Sequence, residues 1–473
     1  MNASTATVAA IDLGATSGRV IVGEFSAADG LRLTEAYRFP NQFHTLDGRD
    51  YWDLGRLWSE VRAGLAEAKE RFPALAACGV DTWGVDSVLL NERNRILHPT
   101  HAYRDVRTHP IVEEQKRAGE DRELYRLTGI QPITFNTLNQ LTETLSHAPG
   151  LREDAARCLL LPDFFNYLLS GAMVNEVSIA STGQLLDLEA TAFSDEVLER
   201  KNIPARWFEG PSLAGQALGP VIGAPGLDGV QNVLVPGHDT SIAFESIPPI
   251  GNDLLVSAGT WMLVGGLTPK PVAGDEGFAM GITNERDGRG GYRPNRIIVG
   301  LWLLEQLLPG FSERPQSDAD WDALIGAAEN EPVPGTLLDL NDPGLFNPDD
   351  MRAALDANVR SQGARPPDSL AAYTRLICDS LGREIAETAR AFGELSGEVR
   401  DNIVMVGGGS KNRLLCQRAA DFAGTTVTSL AMEGSSVGNI AYQLMGLGAV
   451  ESLGAFHQTL LGQIERQVYE PDT

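Results

Sequence analysis

The chain has 473 residues, 43% hydrophobic and 21% charged, which suits a globular protein of two domains. Its formal net charge of −25 argues against nucleic acid or an anionic membrane as partner, since both call for basic surface. It has no run of 18 apolar residues, no basic leader and no CxxC pair, so the expectation is a soluble, cytoplasmic protein with reduced cysteines and no zinc site.

Residues 8–11 and 20–25 are short apolar runs around Asp12-Leu13-Gly14-Ala15-Thr16-Ser17-Gly18-Arg19, a pattern that predicts a β-hairpin with a glycine-containing tip. Residues 31–39 alternate as a third strand, and Leu54, Leu57, Trp58, Val61 and Leu65 give residues 52–71 helical spacing. "ACGVDTWGVDSVLLNERNRIL" reads as a strand, a loop and a hairpin around Glu92-Arg93-Asn94. A helix is predicted after Pro110. "CLLLPDFFNYLLSG" is an apolar strand or turn running into a helix that stops at Gly171, and residues 202–221 are Pro/Gly-rich loop.

"SIPPIGN" (246–252) has the composition of a junction and divides the chain into residues 1–247 and 248–473. The second part opens with "DLLVSAGTWMLVGG", another hairpin with a small-residue tip, at 257–260. Further on, residues 373–392 are an amphipathic helix built on Leu376, Ile377, Leu381 and Ile385. Strand 402–406, the tight loop "GGGSKN", helix 414–422, strand 425–430 and helix 437–445 follow, a βαβα order that predicts a mostly parallel sheet.

Several segments carry candidate chemistry. The glycines at 14 and 18 allow backbone N–H groups to approach an anion, with Thr16, Ser17 and Arg19 as further donors. Asp12, at the end of its strand, suits Mg²⁺ held through water. "SAGTW" repeats the arrangement around Thr260. "VMVGGGSKNRLL" lets a flat ligand lie on bare backbone before a helix N-terminus. No Gly-Lys dipeptide occurs, so it is not a Walker A loop. In "GVDTWGVD", the acids Asp81 and Asp86 flank Trp83 and Gly84, a set that suits a polyol as well as it suits a strand end. His98, His101 and His109 have no metal-ligand spacing. In "PGHDTS", Asp239 is open to two readings. As a helix N-cap it contributes about 1 kcal/mol. As a general base it takes a proton from a substrate hydroxyl, although a positive helix end lowers its pKa. The loose transition state of phosphoryl transfer asks mainly for orientation.

Taken in order, the Asp12 hairpin, "DTWGVD", "GHDT", "SAGTW" and "GGGSKN" resemble the FGGY carbohydrate kinases over roughly residues 8–450. Within that family "DLGATSGRV", "AYRD", "PGHDT", "GLWLLE" and "GGGSKNRLLCQ" are most similar to the branch that phosphorylates L-rhamnulose at its 1-hydroxyl. The resemblance implies an α/β fold of two actin-like (ribonuclease H-like) domains around a central cleft, a sugar domain at 1–247 and a nucleotide domain at 248–473. It implies ATP and Mg²⁺ as cofactors and a small ketose as substrate, in a monomer or homodimer. Asp239 corresponds to the proton acceptor. Trp83, Gly84, Asp86, His238 and Thr240 stand at the sugar, and Ala15, Thr16, Ser17, Gly18, Arg19 and Thr260 at the phosphates. Gly408 and Gly409 stand at the adenosine, and Asp12 at the metal. Two positions depart from the family pattern: Ile297 replaces a sugar-contacting asparagine, and Glu305 replaces a glutamine near ATP. The first leaves the exact ketose open, with L-fuculose, a pentulose or glycerol as alternatives, and an actin-like or chaperone-type ATPase as the rival from another class.

Overall fold

The computed structural model describes residues 5–189, 192–224, 226–345 and 348–472. They form two compact units that are discontinuous in sequence. Unit 1 is Met1–Pro248, Leu267–Pro294 and Glu433–Gln463; unit 2 is Pro249–Gly266, Asn295–Met432 and Ile464–Thr473. A single break after residue 247 therefore does not describe the packing, because 267–294 and 433–463 cluster with the first unit.

Unit 1 is built on a sheet with strand order Gly30–Pro40, Ser17–Ser26, Thr5–Leu13, Leu75–Thr82, Gln231–Val233, Ala217–Pro220. The first three strands are antiparallel, and Leu75–Thr82 runs parallel to both Thr5–Leu13 and Gln231–Val233. Val8, Ala9, Ala10 and Ile11 are all fully buried, as expected of a strand covered on both faces. One cover is helix Leu54–Arg71. Asp53 caps it by accepting from Arg56 N, and its Leu57, Val61, Leu65 and Ala68 recur at helical spacing in the core. The other cover is helix Gly434–Gly446, whose Ile440 sits where a Cβ on Gly23 would fall.

The expected turn at residues 92–94 exists, but it closes only one bridge, Leu90 to Ile96. Strand Ser87–Leu90 finds its ladder partner in Arg157–Leu160 instead, because Cys158, Leu159 and Leu160 are buried and supply an apolar edge.

In unit 2, residues 295–299 of strand Tyr292–Val299 lead the order Trp261–Gly265, Asp253–Ala258, Asn402–Val406, Thr426–Ala431, Glu465–Tyr469. The three central strands are parallel and the edges antiparallel. This repeats the start of unit 1: an antiparallel hairpin, a third antiparallel strand on one side and a parallel strand on the other. Helix Leu370–Ser396 lies on helix Arg413–Ala423 so closely that a Cβ on Gly382 would fall 2.9 Å from the Arg418 carbonyl carbon. The four cysteines are buried and unbridged. Among the described residues no helix is long and apolar enough to cross a membrane.

Candidate active site

Strand Gln231–Val233 delivers the chain through Gly237 to the short helix Asp239–Glu245. Gly237 is held from two sides: its N–H donates to Glu176 Oε2 at 2.8 Å and its carbonyl accepts from Thr82 N at 2.9 Å. The N-cap is His238, so Asp239 is the first helical residue and not the cap. Its side chain keeps 33% of its surface open. Thr240 Oγ1 donates to Asp239 Oδ1 at 3.1 Å, and His238 Nε2 lies 3.6 Å from the same oxygen. Burial raises the Asp239 pKa; His238 opposes the rise and Asp12 adds to it. The direction is opposite to the lowering that a helix start alone leads one to expect.

His238 is itself held. Its Nδ1 is 2.9 Å from Glu285 Oε2 and 3.0 Å from Arg293 Nη2, and Arg293 is ion-paired to Glu285. Donation from Nδ1–H to Glu285 leaves Nε2 facing Asp239. Arg293 is fully buried and lies on the strand that also carries Ile297. Neither Glu285 nor Arg293 stood out in the sequence, since nothing near them in the chain marks them.

Trp83 and Asp86 follow strand Leu75–Thr82. Asp86 is 1% exposed, and its oxygens are taken up by the protein: Trp52 Nε1 at 2.6 Å, Trp83 Nε1 at 2.8 Å and Gln140 Nε2 at 2.9 Å. It therefore fixes the Trp52–Trp83 pair, whose ring centroids are 4.4 Å apart, from behind. Burial pushes its pKa up to about 6 against the pull of these donors. Between Gly84 and Asp86, Val85 has φ +72°, which a β-branched side chain rarely adopts. Two hydroxyls hold it there, Thr182 Oγ1 on its N–H at 3.1 Å and Thr137 Oγ1 on its carbonyl at 2.6 Å.

The first hairpin tip closes by Gly14 N donating to Ser17 O at 3.0 Å and leaves Thr16 exposed, with Ala15 and Ser17 partly so. Gly18 is a packing glycine: a Cβ there would fall 2.2 Å from the Phe39 ring. Arg19 is engaged within the unit, at 2.9 Å from Asp12 Oδ2 and 2.7 Å from Glu433 Oε2. Burial opposes its charge, but Asp12 and then Glu433 outweigh it and raise its pKa. Ser435 Oγ also donates to Asp12 Oδ2, at 2.6 Å. Asp12 pairs in register with Asp81, which is fully buried, accepts from Asn439 Nδ2 at 2.6 Å and has an Oδ1 without a hydrogen-bond partner. Burial, then Asp12 and Asp239, raise the pKa of Asp81. Among the described residues no three His, Cys, Asp or Glu side chains converge as a direct ligand set. The donors present fit a hydrated divalent cation, held through its waters by Asp12 with Asp81 behind it.

The remaining candidates lie in unit 2. Thr260 sits at the tip between strands Asp253–Ala258 and Trp261–Gly265, and its carbonyl accepts from Gly300 N at 3.1 Å. Gly407 has φ +87°, and a Cβ there would meet Ala258 O at 2.8 Å. Gly409 is similarly packed, whereas a Cβ on Gly408 would meet nothing within 4 Å. Gly259, Gly408, Gly409 and Glu305 are among the residues that line a cavity of about 430 Å³. Its size and bare backbone suit a nucleoside.

Models of the FGGY family of carbohydrate kinases match this chain, the N-terminal domain over residues 7–226 and the C-terminal domain over 254–447. The chain is 34% identical over 465 residues to a rhamnulokinase from Klebsiella pneumoniae subsp. pneumoniae, covering 98% of this chain and 94% of that one. Among solved structures it is similar to gluconate kinase from Lactobacillus acidophilus, with TM-score 0.79, 13% identity and coverage of 99% and 94% of the two chains. It is also similar to Plasmodium falciparum glycerol kinase with ADP, with TM-score 0.77, 13% identity and coverage of 99% and 94%.

Proposed function

The chain belongs to the FGGY family of carbohydrate kinases, and from that premise we propose that it transfers the γ-phosphoryl group of ATP to the primary hydroxyl of L-rhamnulose, giving L-rhamnulose 1-phosphate and ADP. Unit 1 takes the ketose and unit 2 the nucleotide. The observation that carries the assignment is Asp239, a carboxylate one-third open, raised in pKa by burial and buttressed by the His238–Glu285–Arg293 set. Full-length similarity to a rhamnulokinase supports the choice of sugar.

Asp239 accepts a hydrogen bond from the 1-hydroxyl, aims its oxygen at phosphorus and takes its proton as the new P–O bond forms and ADP leaves. A raised pKa makes it a better base than an ordinary aspartate. Trp83 offers a flat face to C–H groups, Gly84 brings backbone beside it, and His238 and Thr240 hold hydroxyls. Asp86 stands behind Trp83 and keeps it in place. Ala15, Thr16, Ser17 and Gly18 present hairpin-tip backbone and hydroxyls to phosphate, with Thr260 doing the same from unit 2. Arg19 sets the position of Asp12. Asp12 would hold Mg²⁺ through water, and the ion would supply neutralisation of phosphate charge. Four buried, reduced cysteines support a cytoplasmic location.

The test is ADP release in a coupled assay over L-rhamnulose, L-fuculose, a pentulose and glycerol. The proposal expects kcat/KM to be highest on L-rhamnulose. Preference for glycerol or a pentulose overturns the sugar, and ATP turnover indifferent to any polyol overturns the acceptor chemistry.

A further inference from the structure

We infer that Trp321 is the base-stacking residue of the nucleotide site. This rests on the reading that unit 2 binds ATP. Helix Asp318–Glu329 presents Asp318, Trp321, Asp322 and Ile325 to the 430 Å³ cavity, a spacing of i, i+3, i+4 and i+7 that places all four on one face. Ile325 is 5% exposed and anchors the helix, but Trp321 remains 36% exposed, its indole part of a cavity wall rather than of the core. The backbone of Gly408 lines the same cavity, with open space where a side chain would stand. A planar ligand resting on bare glycine backbone finds an aromatic wall in that cavity, and such stacking tolerates any base because every base has a π-face.

The rest of the lining is mixed in charge: Glu305, Asp318 and Asp322 reach the cavity from helices Trp302–Leu307 and Asp318–Glu329, Lys411 and Arg413 come from the segment after the glycine loop, and Arg413 lies 3.4 Å from Asp322. Carboxylates on the tryptophan's own helix can accept from ribose hydroxyls or an exocyclic amino group of a nucleoside stacked there. The wall is held in position: Arg413 Nε and Nη2 donate to Glu329 at 2.9 and 3.1 Å, which ties this helix to the one that follows the glycine loop.

Nucleotide binding without sugar tests this, using tryptophan fluorescence and equilibrium dialysis of Mg–ADP. ADP quenches the wild-type protein and inorganic tripolyphosphate does not. Trp321→Phe abolishes most of that quench while holding ADP affinity within about threefold, because phenylalanine still stacks. Trp321→Ala weakens ADP by about tenfold or more and leaves tripolyphosphate binding unchanged. If wild type binds ADP by dialysis yet Trp321→Ala binds it equally well, or Trp321→Phe keeps the full quench, the stacking role is overturned while nucleotide binding stands. If wild type binds no ADP, the nucleotide reading of unit 2 fails and the inference falls with it.

Discussion

Asp86→Asn should separate the supporting role of this residue from any direct contact with sugar. Three buried N–H donors, from Trp52, Trp83 and Gln140, converge on the carboxylate. An asparagine brings one oxygen and one NH₂, so at least one donor faces another donor. Gln140 cannot turn over to relieve this, because its Oε1 already accepts from Arg107 Nη2 at 3.0 Å. A buried donor without a partner costs about 1–3 kcal/mol. The loss also depends on pH. Asp86 titrates at about 6 in the folded protein and near ~3.9 in the unfolded chain. Between those values the native state holds a proton that the unfolded chain has released. The contribution of this group is thus full below about pH 4 and is lost as pH rises through 6, a swing of about 3 kcal/mol. The gap in stability between wild type and Asp86→Asn should therefore widen by about 2 kcal/mol from pH 7 down to pH 4.5, the rest of the swing coming below that pH. Urea midpoints of both proteins at several pH values measure it, and taking the difference cancels the other carboxylates. A gap that is constant or narrows on acidification refutes the reasoning.

Asp239→Asn should lower turnover at least about a hundredfold without loss of Mg–ADP binding, read by dialysis. In wild type, kcat/KM should fall with acid along a limb displaced above the ordinary aspartate range, since burial raises Asp239 and a base works only when ionised. Because His238 pulls that pKa down, His238→Asn should move the limb further up in pH. Gly408→Leu should weaken ATP with little change in thermal midpoint, whereas Gly409→Ala should lower the midpoint, its Cβ falling 2.8 Å from both Ala258 Cβ and Leu301 Cδ1; calorimetry and ATP KM distinguish the two. Removal of divalent cations with a chelator should abolish turnover, and Mg²⁺ should restore it in a stopped assay.

What was legible in the sequence was what local composition can carry. The Asp12 hairpin, the "GHDT" turn and the "GGGSKN" loop each gather their glycines, acids and hydroxyls within a few residues, and the strands around them are apolar enough to announce themselves. Partners that come from afar were not legible. Arg19 reads as a phosphate donor until Glu433, 414 residues away, is seen to share its guanidinium. Asp86 reads as a hydroxyl acceptor until Trp52 and Gln140 close around it. Val85 gave no sign of its positive φ, since β-branched residues announce strands and not left-handed backbone. The division into units was hidden for the same reason: 433–463 reads as the continuation of a βαβα series, and only packing against Gly23 and Asp12 places it elsewhere.

Helix Gly434–Gly446 has a consequence for biosynthesis. Ser435 reaches back to Asp12, Asn439 to Asp81, and Gln443 to the carbonyl of Ala9 at 2.9 Å. On the ribosome, the first strands emerge hundreds of residues before the helix that quiets their carboxylates. A nascent chain halted near its midpoint would hold two adjacent acids and an uncovered sheet face, a state prone to capture by chaperones. Swapping or trimming the sequence at residue 247 would produce the same orphaned half, so a transplantable copy of unit 1 needs its last helices as much as its first strand.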